Sequence, residues 1–243
     1  MSTKPSPKTP QEKTPEEWWS TSIIDMKPGS IRIRGYAIEE LIGRVGFAEM
    51  VYLMTRGELP QPAAARLLEA ALVAAVDHGP QAPSIAAARM AVTCGVGINN
   101  AMACAINMLG DVHGGAGEQC VALLNAIAAR LEGNVTEQHI ADAVDEELRA
   151  LADRSTSHVP GFGHRFHPLD PRAPRLLALI DEAAAKGSVS GRYAAIGRAL
   201  EDALAIRKGR RIPMNIDGAT AVVYAELGFA PALCRGLFVL SRS

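Results

Sequence analysis

At 243 residues, with 48% hydrophobic and 21% charged side chains, the chain has the makeup of a globular protein: one large domain, or one domain with a smaller lobe. Its net charge of −1 supplies no broad basic field, which argues against a nucleic-acid partner. No apolar run approaches a membrane span, the N-terminus lacks the apolar core of a secretory signal, and 5% aromatics beside abundant Ala and Leu favour close-packed helices over a sheet sandwich.

Residues 1–17 are polar and rich in Pro, Lys and Thr, and read as a flexible arm. Trp18 and Trp19 begin the ordered part; packing is their expected role and a subunit contact the alternative. IRIRG at 31–35 alternates apolar and basic residues, as a short strand does. Helical spacing begins at Ile38 and continues through Leu41, Ile42 and Val45. A second run carries Phe47, Met50, Val51 and Met54 until GELP stops it. Further helices are predicted over 62–76 (stopped by Gly79-Pro80), from Pro83 or Ser84 to 93, 99–109, 117–131, 136–152 with Thr136 as N-cap, 175–186, 193–206, 219–227 and 230–240. Other strand signals are almost absent. Met50, Met54, Met90, Met102 and Met108 read as core filler. Cys94, Cys104, Cys120 and Cys234 form no CxxC pair and read as reduced core residues of a cytoplasmic protein. The sequence stops inside an apolar helical pattern without a cap, so a further tail is expected.

Three glycine-bearing segments carry the ionisable groups. PGFGHRFHPLDPRAP at 160–174 holds His164, His167, Asp170 and Arg172; DVHGGAG at 111–117 holds His113; MNIDGATA at 214–221 holds Asp217. Imidazole, carboxylate and guanidinium in loops of restricted shape suit an anionic substrate and its protons, and small neighbours admit a ligand close to the backbone. Each residue also has a plainer reading. His113 and His78 suit helix capping, Asp217 an N-cap of the next helix, Arg172 a surface pair with Asp170, and the Lys208–Arg211 run a solvated face. His164 and His167 lack companions at zinc-ligand spacing, so no metal is expected.

This set resembles the citrate synthases and the citryl-CoA-cleaving module of ATP-citrate lyase. GFGHR followed by DPRA, HGGAGE at 113–118 and NIDG at 215–218 are similar to family motifs and stand in family order. RGYAIEEL…GELP at 34–60 is similar to the N-terminal segment of citrate synthases. DHGP at 77–80 and GLFVLSRS at 236–243 are closest to the lyase-type module. A single helix separates Pro60 from Asp77 where full-length synthases place a long helical stretch, so the chain resembles a shortened form. The lyase module usually lacks a histidine at the HGG position, whereas this chain keeps His113.

The resemblance implies an all-α, citrate synthase-like fold: a large helical domain (18–157 and 213–243) and a smaller helical lobe (158–212) on the coenzyme A side. It implies cleavage of citryl-CoA to acetyl-CoA and oxaloacetate through an enol. A short citrate or 2-methylcitrate synthase is the alternative, and a non-catalytic CoA-binding scaffold subunit a further one. His113, His164 and Asp217 would be catalytic. His78, Arg172, Arg242 and Arg165 would hold substrate carboxylates, with Arg242 near the partner subunit's site. Gly161, Phe162, Gly163, Lys208, Arg210 and Arg211 would contact coenzyme A, the thioester substrate. No tightly bound cofactor, metal or membrane is implied. The expected partners are further copies of the chain, in a homodimer or higher homo-oligomer, and, since GxxxxGK[ST] is absent, a separate citrate-activating ligase.

Overall fold

A computed structural model describes residues 14–133, 135–153, 158–165 and 167–243; residues 1–13 of the expected arm fall outside it. The chain divides after Leu59 into two compact units.

The first unit opens with a short helix, α1 (Pro15–Trp19), capped reciprocally by Thr14 and Glu17. Residues 14–17 of the expected arm are therefore structured. Trp18 and Trp19 follow, 71% and 82% exposed, so neither indole packs within the chain as expected. A three-stranded antiparallel meander comes next: β1 (Ile24–Lys27), β2 (Ser30–Ile33) and β3 (Tyr36–Ala37). Only the middle strand was legible in the sequence; Pro28-Gly29 and Arg34-Gly35 turn the chain on either side of it. Arg34 has a left-handed φ of 50° and is held there by its guanidinium, which donates to Ser22 Oγ and to the Met54 carbonyl. α2 (Ile38–Leu41) is one turn long, and α3 (Phe47–Arg56) ends at Gly57, φ 89°.

The second unit holds nine helices among the described residues: α4 (Pro62–Ala74), α5 (Pro83–Thr93), α6 (Ile98–Asn107), α7 (Ala116–Ala128), α8 (Glu137–Asp153), α9 (Arg172–Ala185), α10 (Arg192–Lys208), α11 (Ile216–Glu226) and α12 (Pro231–Arg242). The expected helical class holds. Proline at the first helical position of α4, α5 and α12 costs no hydrogen bond there and presets φ. At the centre lies α11, in which every residue from Ile216 to Ala225 except Asp217 is buried. A helix apolar all round must be wrapped by others, and α4, α7, α9 and α10 pack on it. The abundance of Ala and Gly on these helices lets their axes approach.

Two helices begin three residues earlier than their periodicity suggested. α9 starts at Arg172 because Asp170 accepts the Arg172 N–H at 3.1 Å. α11 starts at Ile216 because Asn215 Oδ1 accepts the N–H groups of Asp217 and Gly218. The cap is thus Asn215, which frees the Asp217 carboxylate from that task.

α5 and α6 pack chiefly on one another. Met90 (69%), Met102, Met108 and Ile98 (74%) stand exposed there, as do Cys94 and Cys104. The methionines and cysteines were expected in the core; Cys120 and Cys234 are indeed buried.

Close approach fixes the turn before His164. Gly161 has φ 86°, and a Cβ there would lie 2.7 Å from both Cys120 Sγ and the Gly218 Cα. Gly161→Ala therefore combines backbone strain with a collision against two helices, a loss of about 2 kcal/mol or more. Gly209→Ala is the comparison: its φ of 64° is also left-handed, but nothing lies within 4 Å of the added carbon. Thermal denaturation should give the larger fall in Tm for Gly161→Ala; equal falls would contradict the packing argument.

Candidate active site

The C-terminal end of α4 gathers two cations. Its last carbonyls lack helical partners and carry the negative end of the helix dipole. Arg242 Nε donates to the Ala75 carbonyl at 2.9 Å, and Arg172 Nη1 reaches that of Ala74 at 3.4 Å. Arg172 is gripped more firmly by Asp170, whose two carboxylate oxygens accept from Nε at 2.9 Å and Nη2 at 2.8 Å. That pair is not the surface pair which the sequence also allowed, since the Asp170 side chain is fully buried. Arg242 also lies 4.7 Å above the Phe238 ring.

His78 follows α4 in a turn closed by Asp77, whose Oδ1 accepts the His78 and Gly79 N–H groups. Its ring centroid lies 5.3 Å from that of His164, which is 4.6 Å from His167. Burial, then Arg172, His164 and Arg242, hold His78 below the ordinary histidine range, with Asp170 opposing. His164 is likewise lowered by burial and by His167 and Arg172 against Asp170. The His167 amide donates to His164 Nδ1 at 3.1 Å, so the neutral ring carries its hydrogen on Nε2.

His113 has the opposite tautomer. The Ser84 amide at the start of α5 donates to its Nε2 at 3.2 Å, with the Ser84 hydroxyl at 3.0 Å from the same nitrogen. Nε2 is therefore an acceptor, and Nδ1 bears the hydrogen. Burial lowers the His113 pKa, and Arg242 adds to the effect. At neutral pH the group is an uncharged N–H donor.

Asp217 lies in the first turn of α11. Burial raises its pKa, Arg172 and Arg242 pull it back, and Asp170 adds to the rise. These mutual influences tie His78, His113, His164, Arg172, Asp217 and Arg242 into one electrostatic neighbourhood, drawn from five separate stretches of chain. It offers carbonyl-polarising N–H donors, a basic carboxylate and two fixed cations.

The chain matches the family described as citrate synthase, C-terminal domain, over residues 12–64 and 54–243. It belongs to the citrate synthase family. A citrate synthase of Deinococcus radiodurans is 30% identical over 195 residues, covering 79% of this chain and 48% of the relative. The chain spans about half the length of the curated relatives it matches. The solved citryl-CoA lyase from Hydrogenobacter thermophilus is 31% identical with a TM-score of 0.78, over 92% of this chain and 82% of that one. ATP citrate lyase from Methanothrix soehngenii, solved with citrate and coenzyme A, shares the fold (TM-score 0.76, 17% identity) over all of this chain and 42% of its own.

Arg165, also expected in the site, is exposed. Phe162 is 2% exposed, its side chain sealed in the core opposite Met214. The Gly161 carbonyl accepts the Asn215 N–H, and Gly163 N–H donates to Pro213. This turn thus splices the His164 loop to the start of α11. Lys208 and Arg210 are exposed at the end of α10, while Arg211 pairs with Glu201 at 2.8 Å. Ser84 and Asn215 were missed as site residues, and Asp170, though named among the ionisable groups, was given no role beyond a surface pair with Arg172. For Ser84 no sequence signal exists beyond its capping position, 29 residues from the histidine it orients.

The pH dependence has a definite sign. His78, His113 and His164 all resist protonation when folded, so between their folded pKa values and about 6.5 the unfolded chain binds more protons. This contribution is complete above pH 6.5 and is lost as pH falls below it. The urea midpoint should drop between pH 7 and 5, and NMR titration should place His113 below the ordinary value. Arg242→Gln should raise that His113 titration; an unchanged or lower midpoint would show that Arg242 does not act on the ring.

Proposed function

We propose that this chain is a citryl-CoA lyase, which splits citryl-CoA into acetyl-CoA and oxaloacetate. What carries the reading is the joining of a neutral N–H donor (His113), a desolvated carboxyl (Asp217) and a second imidazole (His164) with two arginines in one neighbourhood. The likeness to the Hydrogenobacter thermophilus citryl-CoA lyase over most of both chains supports the direction.

In cleavage the tertiary hydroxyl of citryl-CoA gives its proton to His164 Nε2, after the ring hydrogen has moved to Nδ1 and the His167 bond is released. The alkoxide electrons form the ketone, and the carbon–carbon bond breaks. That bonding pair passes into the thioester as an enol or enolate. His113 Nδ1–H donates to the thioester oxygen, where negative charge develops. Protonated Asp217 then delivers its proton to the methylene carbon, giving acetyl-CoA, and the burial that raises its pKa favours that role. Arg172, Arg242 and His78 hold the carboxylates of the oxaloacetate half. Lys208 and Arg210 meet coenzyme A phosphates, and the segment 158–212 forms the lobe that covers the thioester. The thioester substrate comes from a separate ATP-using ligase.

The second reading, a short citrate synthase, is favoured by the names of its sequence relatives and by His113. It runs the same steps backwards, with His164 Nε2–H polarising the ketone of oxaloacetate in the tautomer its His167 bond already sets. Purified protein decides between them. Rapid release of oxaloacetate from citryl-CoA with little condensation of acetyl-CoA and oxaloacetate supports the lyase; CoA thiol release from both reactions supports the synthase. Asp217→Asn should lower kcat by roughly 10²–10⁴-fold with KM nearly unchanged, as for loss of a positioned acid.

The proposed assembly is a homodimer with α5 and α6 at its two-fold interface, supported by the exposed Met90, Ile98, Met102 and Met108. Light scattering should give twice the chain mass. Ile98→Glu should shift it toward monomer; an unaltered dimer would move the interface elsewhere.

A further inference from the structure

The turn at residues 110–115 that carries His113 is short and tightly folded. Gly110 N–H donates to the His113 carbonyl at 2.8 Å, and a Cβ on Gly115 would lie 2.7 Å from the Asp111 Cα. Moving Asp111 therefore moves the turn. Asp111 is held from outside by Arg235 of α12, whose Nη2 lies 2.5 Å from Asp111 Oδ1. The same guanidinium lies against Glu118 at the start of α7, as an ion pair through Nε rather than an aligned hydrogen bond. One side chain thus bridges the residues two before and five after His113. Phe238, three residues along α12, would lie 3.1 Å from a Cβ on Gly114, and it stacks under Arg242. Arg235, Phe238 and Arg242 share a helix face by their spacing.

We propose that Arg235 is a positioning residue for the reaction. By clamping Asp111 and Glu118 it sets where His113 Nδ1–H points, as Ser84 sets which nitrogen carries the hydrogen. The inference rests on His113 acting on the thioester oxygen. Arg235 touches no reacting group. Arg242, not Arg235, is the cation that bears on the His113 pKa. The Asp111 carboxylate is largely exposed, so the pair contributes little to global stability. Its effect is geometric, and a donor displaced by about 1 Å can cost up to 10²-fold in rate.

The test compares Arg235→Gln, Arg235→Lys, Asp111→Asn and the Arg235→Gln/Asp111→Asn pair with the unaltered chain. Expected for Arg235→Gln is a fall in kcat of about tenfold or more with the thioester KM within about twofold and Tm nearly unchanged. Lysine should restore part of the rate, and the double variant should be no slower than the slower single one. Ring-nitrogen NMR of His113 should show the Nδ1–H signal shifted in Arg235→Gln, with the tautomer that Ser84 sets retained. An unchanged kcat, a joint collapse of kcat, KM and Tm, or a lysine variant as slow as the glutamine one overturns the proposal. If the unaltered chain turns over neither citryl-CoA nor the condensation substrates, the functional reading fails. The NMR comparison still decides the positioning: unchanged His113 signals in Arg235→Gln overturn it.

Discussion

One buried carboxylate, that of Asp170, sets the frame for the site. Burial works against its charge, but the side-chain and main-chain N–H groups of Arg172, the Arg172 cation and the Ile216 amide outweigh that and hold its pKa below the ordinary value. The same two oxygens therefore fix a guanidinium, start α9 and abut the first residue of α11. Asp217 is one residue further on. A shift of Asp170 would move Arg172 and the Asp217 carboxylate together, and neutralising it would leave Arg172 half-buried with a weakened partner, a costly state.

The second constraint is the spent end of α4. Unpaired carbonyls at Ala74 and Ala75 accept from Arg172 and Arg242, and Ser241 donates to Leu72 one turn earlier. Arginines anchored through some of their donors keep others for a ligand, and their planar forks are ordered before it arrives. Arg242 gains further from the Phe238 face beneath it. The Arg242 and Ser241 contacts come from the last turn of α12, so the position of that helix bears on the same cluster. That is also why Arg235, remote from the reacting atoms, can matter to the HGG turn.

Much of this was legible in the sequence, and the reason is local. Helix periodicity, proline starts and glycine stops are written into neighbouring residues, and so nine helices of the second unit fell near their predicted positions. Ionisable residues beside glycines in loops marked His113, His164 and Asp217. What was illegible depends on pairs distant along the chain. Ser84 reaches His113 across 29 residues, and Arg235 reaches Asp111 across 124. Asn215 and Asp217 are both plausible caps, and only the path of the preceding turn, spliced to Gly161 and Gly163, makes Asn215 the cap. Apolar spacing on α5 and α6 predicted burial but could not say against what, so Met90, Met102 and Cys104 read as core while lying on the surface of this chain.

The two histidines are held in opposite tautomers by main-chain N–H groups, Ser84 on His113 Nε2 and His167 on His164 Nδ1. Both rings are kept uncharged, while the fixed positive charge comes from arginines. On the proposed reading this division is what the chemistry requires. With both groups acting on one thioester, a cationic His113 would bind an enolate more tightly, but it would also lower the basicity of Asp217 and so weaken proton exchange at carbon. A neutral donor used together with a desolvated carboxylate matches the two better: as the burial of Asp217 raises its proton affinity, less charge has to accumulate on the thioester oxygen before the proton is shared. The arginines stay outside that exchange, bound to the carboxylates that do not react and to the carbonyls of α4. Arg242 is common to both halves, because it lowers the pKa of His113 and opposes the rise at Asp217. Burial is the larger influence at each, and Arg242 pulls both toward lower proton affinity.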